Sequence, residues 1–127
     1  MKILVDTHIF LWAITDDPRL SRTHRALYAD ESSDLYFSIA SVWEILIKCG
    51  LGKLTLPAPA APSVFKQLEK NRLTPLSIRP EHLAELETLP PLHRDPFDRM
   101  LIAQAIAEKM PILSGDSALR KYGVAIL

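Results

Sequence analysis

The apolar positions fall into short continuous runs that alternate with longer stretches of helical spacing. "KILVD" at residues 2–6 is β-branched and nearly all apolar, the pattern of a strand buried on both faces. "THIFLWAI" at 7–14 extends the apolar run beyond one strand and predicts a short helix, which "DDPRLS" ends with turn residues. "RLSRTHRALYADE" at 19–31 spaces apolar or small residues helically with Arg and His between them, an amphipathic second helix. "DLYFSIA" at 34–40 reads as a strand and "SVWEILIKCG" at 41–50 as a helix, with Ser41 and Glu44 forming an S-x-x-E capping box and Gly50 at its stop.

Prolines at high density make "LTLPAPAAP" at 54–62 a loop, because they remove backbone donors and break periodicity. "SVFKQLEKN" and "PEHLAELETL" predict two helices, the second with Pro80 near its first turn, and "LTPLSI" between them a short strand. "FDRMLIAQAIAEKM" is a long helix, "PILSGD" a strand leading to a turn, "SALRKY" a short helix and "GVAIL" a closing strand. Strands alternating with helices predict an α/β fold with a parallel sheet covered on both faces and right-handed crossovers.

The 127 residues suit one domain, taken as 1–127, and 48% hydrophobic against 24% charged residues suits a folded globular chain. Fifteen basic residues balance fifteen acidic ones, so the overall field favours no nonspecific nucleic-acid binding, although a local basic rim is compatible with zero net charge. Cys49 is alone, which excludes an internal disulfide and a cysteine-cluster zinc site, fits a reducing cytosol and suits a small buried hydrophobe. Asp6 interrupts the N-terminal apolar run and no small-residue cleavage site follows, so the start reads as mature protein. No run reaches the roughly 20 apolar residues of a membrane-spanning helix.

Four acids fall at related places: Asp6 ends the first strand, Glu44 and Asp98 lie in first turns of helices, and Asp116 follows "ILSG". In open parallel α/β sheets functional groups gather beyond the carboxyl ends of the strands, so these acids can converge. Converging carboxylates repel and raise one another's pKa unless a cation joins them. Mg²⁺ or Mn²⁺ takes such hard oxygen ligands and leaves positions for phosphate oxygens, which points to phosphodiester hydrolysis. Each acid taken singly also reads as a helix cap: Glu44 in its box, Asp95 as the N-cap before Pro96, Asp116 before "SALRKY". Only Asp6, at the end of a buried strand, lacks that simple reading.

The stretches "ILVDTHIFLW", "SVWEILIKCGLGKL", "HRDPFDRMLIAQA" and "ILSGD" resemble, in order and over essentially the whole chain, the PIN-domain family, and particularly VapC-type toxins. The resemblance implies a three-layer α/β/α sandwich and an endoribonuclease that hydrolyses RNA, tRNA among its candidate substrates, with a metal-activated water. It implies Mg²⁺ or Mn²⁺ held by Asp6, Glu44, Asp98 and Asp116, with a weaker claim for Asp95. It also implies a small cognate antitoxin, a homodimer and a cytoplasmic place of work. The family often carries Asn two residues after its first acid, where this chain has His8.

His8, His24, His82 and His93 show no paired metal spacing, and His8 and His93 read as hydrogen-bonded or partly exposed residues near the acids. Thr7 and Ser114 can orient water or serve as turn residues, and Arg94, Arg99, Lys48 and Lys53 can form a basic rim or a solvated face. Trp12 and Trp43 read as core residues, an exposed one marking an interface. Two other readings stand beside the nuclease: a catalytically silent binding module, and an aspartyl-phosphate phosphotransferase, which normally has a second Asp where His8 stands.

Overall fold

The computed structural model describes residues 1–127. Strands β1 (Lys2–Val5), β2 (Asp34–Ser38), β3 (Leu73–Leu76) and β4 (Ile112–Leu113) form one parallel sheet in the order β3-β2-β1-β4. Helices α1 (Thr7–Ile14), α2 (Arg22–Ala29), α3 (Ile39–Gly50), α4 (Ala60–Lys70), α5 (Pro80–Thr88) and α6 (Pro96–Glu108) connect and cover it, and a 3-10 helix spans Ser117–Tyr122. No helix is long and apolar enough to cross a membrane.

The two-residue period of the strands divides the core. Ile3, Val5, Leu35, Phe37 and Leu113 join a cluster with Ile9, Phe10 and Ile45, whereas Leu4 and Ile112 join Leu101, Ile102 and Leu119 on the other face. Both faces are therefore covered, which makes the three-layer α/β/α sandwich expected from the strand–helix alternation. β1 is central, with Ile3, Leu4 and Val5 fully buried, and it delivers Asp6 to the carboxyl edge of the sheet.

Several boundaries differ from those read in the sequence. α3 begins at Ile39, capped by Ser38, whose Oγ accepts from the Ala40 amide at 3.0 Å, so Ser41 and Glu44 form no capping box and Glu44 lies in the second turn. The reason is register: Ser38 is paired with Leu76 of β3, so strand passes directly into helix. α4 takes its first turn from the Pro/Ala stretch, where Pro62 stands among the first-turn amides that need no helical acceptor. The last five residues form no strand; Ile126 alone bridges Ile112, after Gly123 has turned the chain at φ 77°. Cys49 is half-buried against the first core cluster.

Trp12 packs against that cluster as expected. Trp43 does not: it is 60% exposed, with its edge-on neighbour Phe97 at 5.3 Å between ring centroids. α3 buries the apolar Ala40, Val42 and Ile45 together with Ser41 and Glu44, and leaves Trp43, Ile47 and, just past its end, Leu51 exposed. Trp43, Ile47 and Leu51, spaced i, i+4, i+8, form an exposed apolar row in which Trp43 meets Phe97.

Candidate metal centre

Asp6 leaves β1 in extended backbone and caps α1, its Oδ1 accepting from the Thr7 amide at 2.7 Å. Its Oδ2 accepts from the Ser114 hydroxyl at 2.6 Å, and Ser114 Oγ in turn accepts from the Asp116 amide at 3.0 Å. β1 and β4 are neighbours in register, so these links tie Asp6 to the Ser114–Asp116 turn across 108 residues of sequence. The Thr7 hydroxyl is buried without a hydrogen-bond partner. Asp6 is only 2% exposed with both oxygens engaged, a poor arrangement for the nucleophile of a phosphotransferase.

Asp116 caps the 3-10 helix through the Ala118 amide at 2.9 Å. Asp95 caps α6, its Oδ1 accepting from the amides of Phe97 at 2.8 Å and Asp98 at 3.2 Å, with Pro96 at the first helical position. Asp98 thus projects from the first turn of α6 without being the cap. Glu44, 9% exposed, places Oε2 3.2 Å from Lys48 Nζ one turn on.

The acids converge on Asp98. Burial, then the charges of Asp6, Asp95, Glu44 and Asp116, push its carboxyl from 3.8 up to about 7. The separations are unequal: ligand atoms of Asp98, Asp116 and His93 lie within 4.8 Å of one another, whereas Asp6 and Glu44 stand outside that trio and reach Asp98 through charge. Asp95 contributes to the same field, but its Oδ1 is occupied by the helix amides. Carboxylates gathered in this way, with only Glu44 paired to a lysine, fit a hard divalent cation, which would offset the charge that holds the Asp98 proton.

His93 has a more specific place than a partly exposed histidine: Nε2 lies 3.3 Å from Asp98 Oδ2 and 3.7 Å from Asp116 Oδ2. His8 Nδ1 lies 3.3 Å from Asp6 Oδ2. The sequence signal for both was nearness to an acid, His8 two residues after Asp6 and His93 two before Asp95. Of the expected basic rim, Lys48, Lys53 and Arg94 border one groove of about 470 Å³ beside Glu44 and Asp95. Arg99 does not join them, because its guanidinium donates to the Pro90 and Leu89 carbonyls and the Tyr122 hydroxyl.

A parallel sheet between helix layers, with acids gathered at its carboxyl edge, is the architecture of the PIN domain. The PIN domain family model matches residues 3–125, and the chain belongs to that family. It is 38% identical over 60 residues to Ribonuclease VapC16 of Mycobacterium tuberculosis, a stretch covering 47% of this chain and 43% of that relative. Among solved structures, VapBC2 from Rickettsia felis bound to a promoter DNA fragment superposes with a TM-score of 0.76 at 16% identity, covering 100% of this chain and 98% of that one. FitAcB from Neisseria gonorrhoeae gives 0.65 at 18% identity, covering 98% and 96%. At these identities the two structures share the fold.

Proposed function

We propose that the chain is a divalent-cation-dependent endoribonuclease, folded as a single domain and acting as the toxin of a toxin–antitoxin pair. The observation that carries this reading is the gathering of Asp6, Glu44 and Asp116 around an Asp98 carboxyl raised to about 7. PIN-family membership and the printed name of the VapC16 relative support it.

Asp6, Glu44, Asp98 and Asp116 would hold Mg²⁺ or Mn²⁺, the ions whose hard-oxygen preference matches this donor set. When bound, the cation supplies Lewis-acid activation of water and offsets charge on the phosphodiester. The chain's own residues set the stage. Ser114 fixes one Asp6 oxygen, the α6 amides fix Asp95, and exposed Arg94 and Lys53, which make no ion pair, are free to meet RNA phosphates. The aspartates act as ligands in their ionised form, so cation affinity rises with pH as the Asp98 proton leaves near 7.

A small cognate antitoxin is the partner that keeps such an enzyme silent, and the exposed Trp43–Ile47–Leu51 row supports a second copy of the chain as a homodimer partner. The work belongs in the cytoplasm, where tRNA and other RNAs are the candidate substrates. The test is incubation of the purified, partner-free chain with total RNA, tRNA included, in Mn²⁺ or Mg²⁺ against EDTA. Discrete products that require the cation are expected. A folded chain that leaves every RNA intact in both ions contradicts the proposal.

A further inference from the structure

Two histidines contact the acid centre, and in each the main chain decides which nitrogen carries the proton. The Gly115 amide donates to His8 Nε2 at 3.1 Å. A backbone N–H can only donate, so Nε2 presents its lone pair and the neutral ring carries hydrogen on Nδ1, the atom 3.3 Å from Asp6 Oδ2. Glycine makes this approach feasible, since a Cβ at Gly115 would stand 3.3 Å from the same nitrogen, tighter than most real contacts. The ring is further held against Trp12, with centroids 4.8 Å apart.

His93 repeats the arrangement with the nitrogens exchanged. The Asp95 amide donates to Nδ1 at 3.1 Å, so Nε2 carries the hydrogen and faces Asp98 Oδ2 at 3.3 Å. His93 therefore lies among potential ligand atoms with its lone pair turned away from them. Both N···O approaches, at 3.3 Å, are longer than the roughly 2.9–3.0 Å of a typical hydrogen bond and are contacts, not aligned hydrogen bonds, as is common at catalytic sites before substrate or ion is in place.

We propose that His8 and His93 are positioning residues, each presenting a neutral N–H in a tautomer locked by the main chain, His8 to Asp6 and His93 to Asp98, and that neither is a metal ligand. A carboxylate faced by such a donor at Oδ2 keeps its orientation, which leaves Oδ1 of Asp98 for a cation and, on Asp6, the Oδ1 lone pair that the Thr7 amide does not use, the usual role of polar partners around metal-binding carboxylates. The departure from the family's Asn at position 8 then exchanges one N–H donor for another. This inference rests on the acid centre proposed above.

Long-range proton–nitrogen NMR correlations on the metal-free ¹⁵N-labelled chain at pH 8.5, above the ordinary imidazole range, read the tautomers directly. Hydrogen on Nδ1 of His8 and on Nε2 of His93 is expected, and the opposite tautomer at either ring overturns the proposal. Mn²⁺ binding followed by electron paramagnetic resonance supplies the second arm. His8→Ala and His93→Ala are expected to weaken binding about tenfold. His8→Asn and His93→Gln, whose amide N–H groups replace Nδ1–H and Nε2–H, are expected to recover most of that loss. Alanine variants that bind as tightly as wild type, or ¹⁴N coupling from an imidazole bonded to Mn²⁺, overturn the positioning role. A wild-type chain with these tautomers that binds no Mn²⁺ removes the nuclease reading and the positioning role together. Opposite tautomers in a chain that binds Mn²⁺ remove the positioning role alone.

Discussion

Asp98→Asn is expected to abolish RNA cleavage and, in the absence of metal, to make the fold more stable at pH 8. The loss follows from removing the ionised ligand on which the other acids converge, and at least a thousandfold is expected, about 4 kcal/mol of transition-state stabilisation. The stability gain follows from the raised carboxyl. Its pKa rises from 3.8 to about 7 in the folded chain, so between these values the folded chain holds a proton that the unfolded chain has released. That favourable contribution is complete below 3.8 and is lost as pH rises through about 7, leaving an unfavourable ionised Asp98 at pH 8. Each unit is worth about 1.4 kcal/mol, and with the side chain 21% exposed the solvent-discounted gain for Asn is about 2 kcal/mol at pH 8, vanishing near pH 4. Urea denaturation in EDTA at the two pH values checks both numbers. A variant less stable than wild type at pH 8 would contradict the electrostatic description of the site.

Asp6→Asn is expected to lose cleavage to a similar degree while changing stability in the opposite direction. Asp6 accepts from the Thr7 amide on one oxygen and from the Ser114 hydroxyl on the other. An asparagine offers one carbonyl oxygen for these two donors, and its NH₂ must face one of them in a site that is only 2% exposed. Leaving a buried donor poorly matched costs about 1–3 kcal/mol, so the variant should fold with a lowered urea midpoint. The same chemical change at two neighbouring acids thus separates ligand loss, common to both, from the local environment, which differs in sign. Cleavage retained by a folded Asp6→Asn chain would remove Asp6 from the centre.

The parts of this arrangement that depend on neighbouring residues in sequence were readable from it. An apolar β-branched run ending in Asp6 fixes a buried strand with an acid at its carboxyl end, and Asp95-Pro96 starts α6 one turn ahead of an apolar stretch. The start of α3 was not readable, because the Ser41–Glu44 pattern points to a later cap and the actual one, Ser38, is set by its pairing with Leu76, a contact across the sheet. Trp43 lies outside the core expected for it for a related reason. α3 has apolar residues on two faces, and only its position over the acid centre reveals that Glu44 is the buried side. "GVAIL" had strand composition but no partner beyond the bridge at Ile126. The roles of His8 and His93 depend on two turn amides, Gly115 and Asp95, whose direction no residue pattern encodes.

In the proposed function Asp6, Glu44, Asp98 and Asp116 jointly bind the cation that hydrolysis requires. Anomalous diffraction at the manganese edge from crystals soaked in Mn²⁺ locates that ion independently of any RNA. The expected result is a peak bonded to a carboxylate oxygen of Asp98 and to at least one of Asp6, Glu44 and Asp116, absent from crystals of Asp98→Asn. No peak at these carboxylates, or one that persists unchanged in Asp98→Asn, would contradict it.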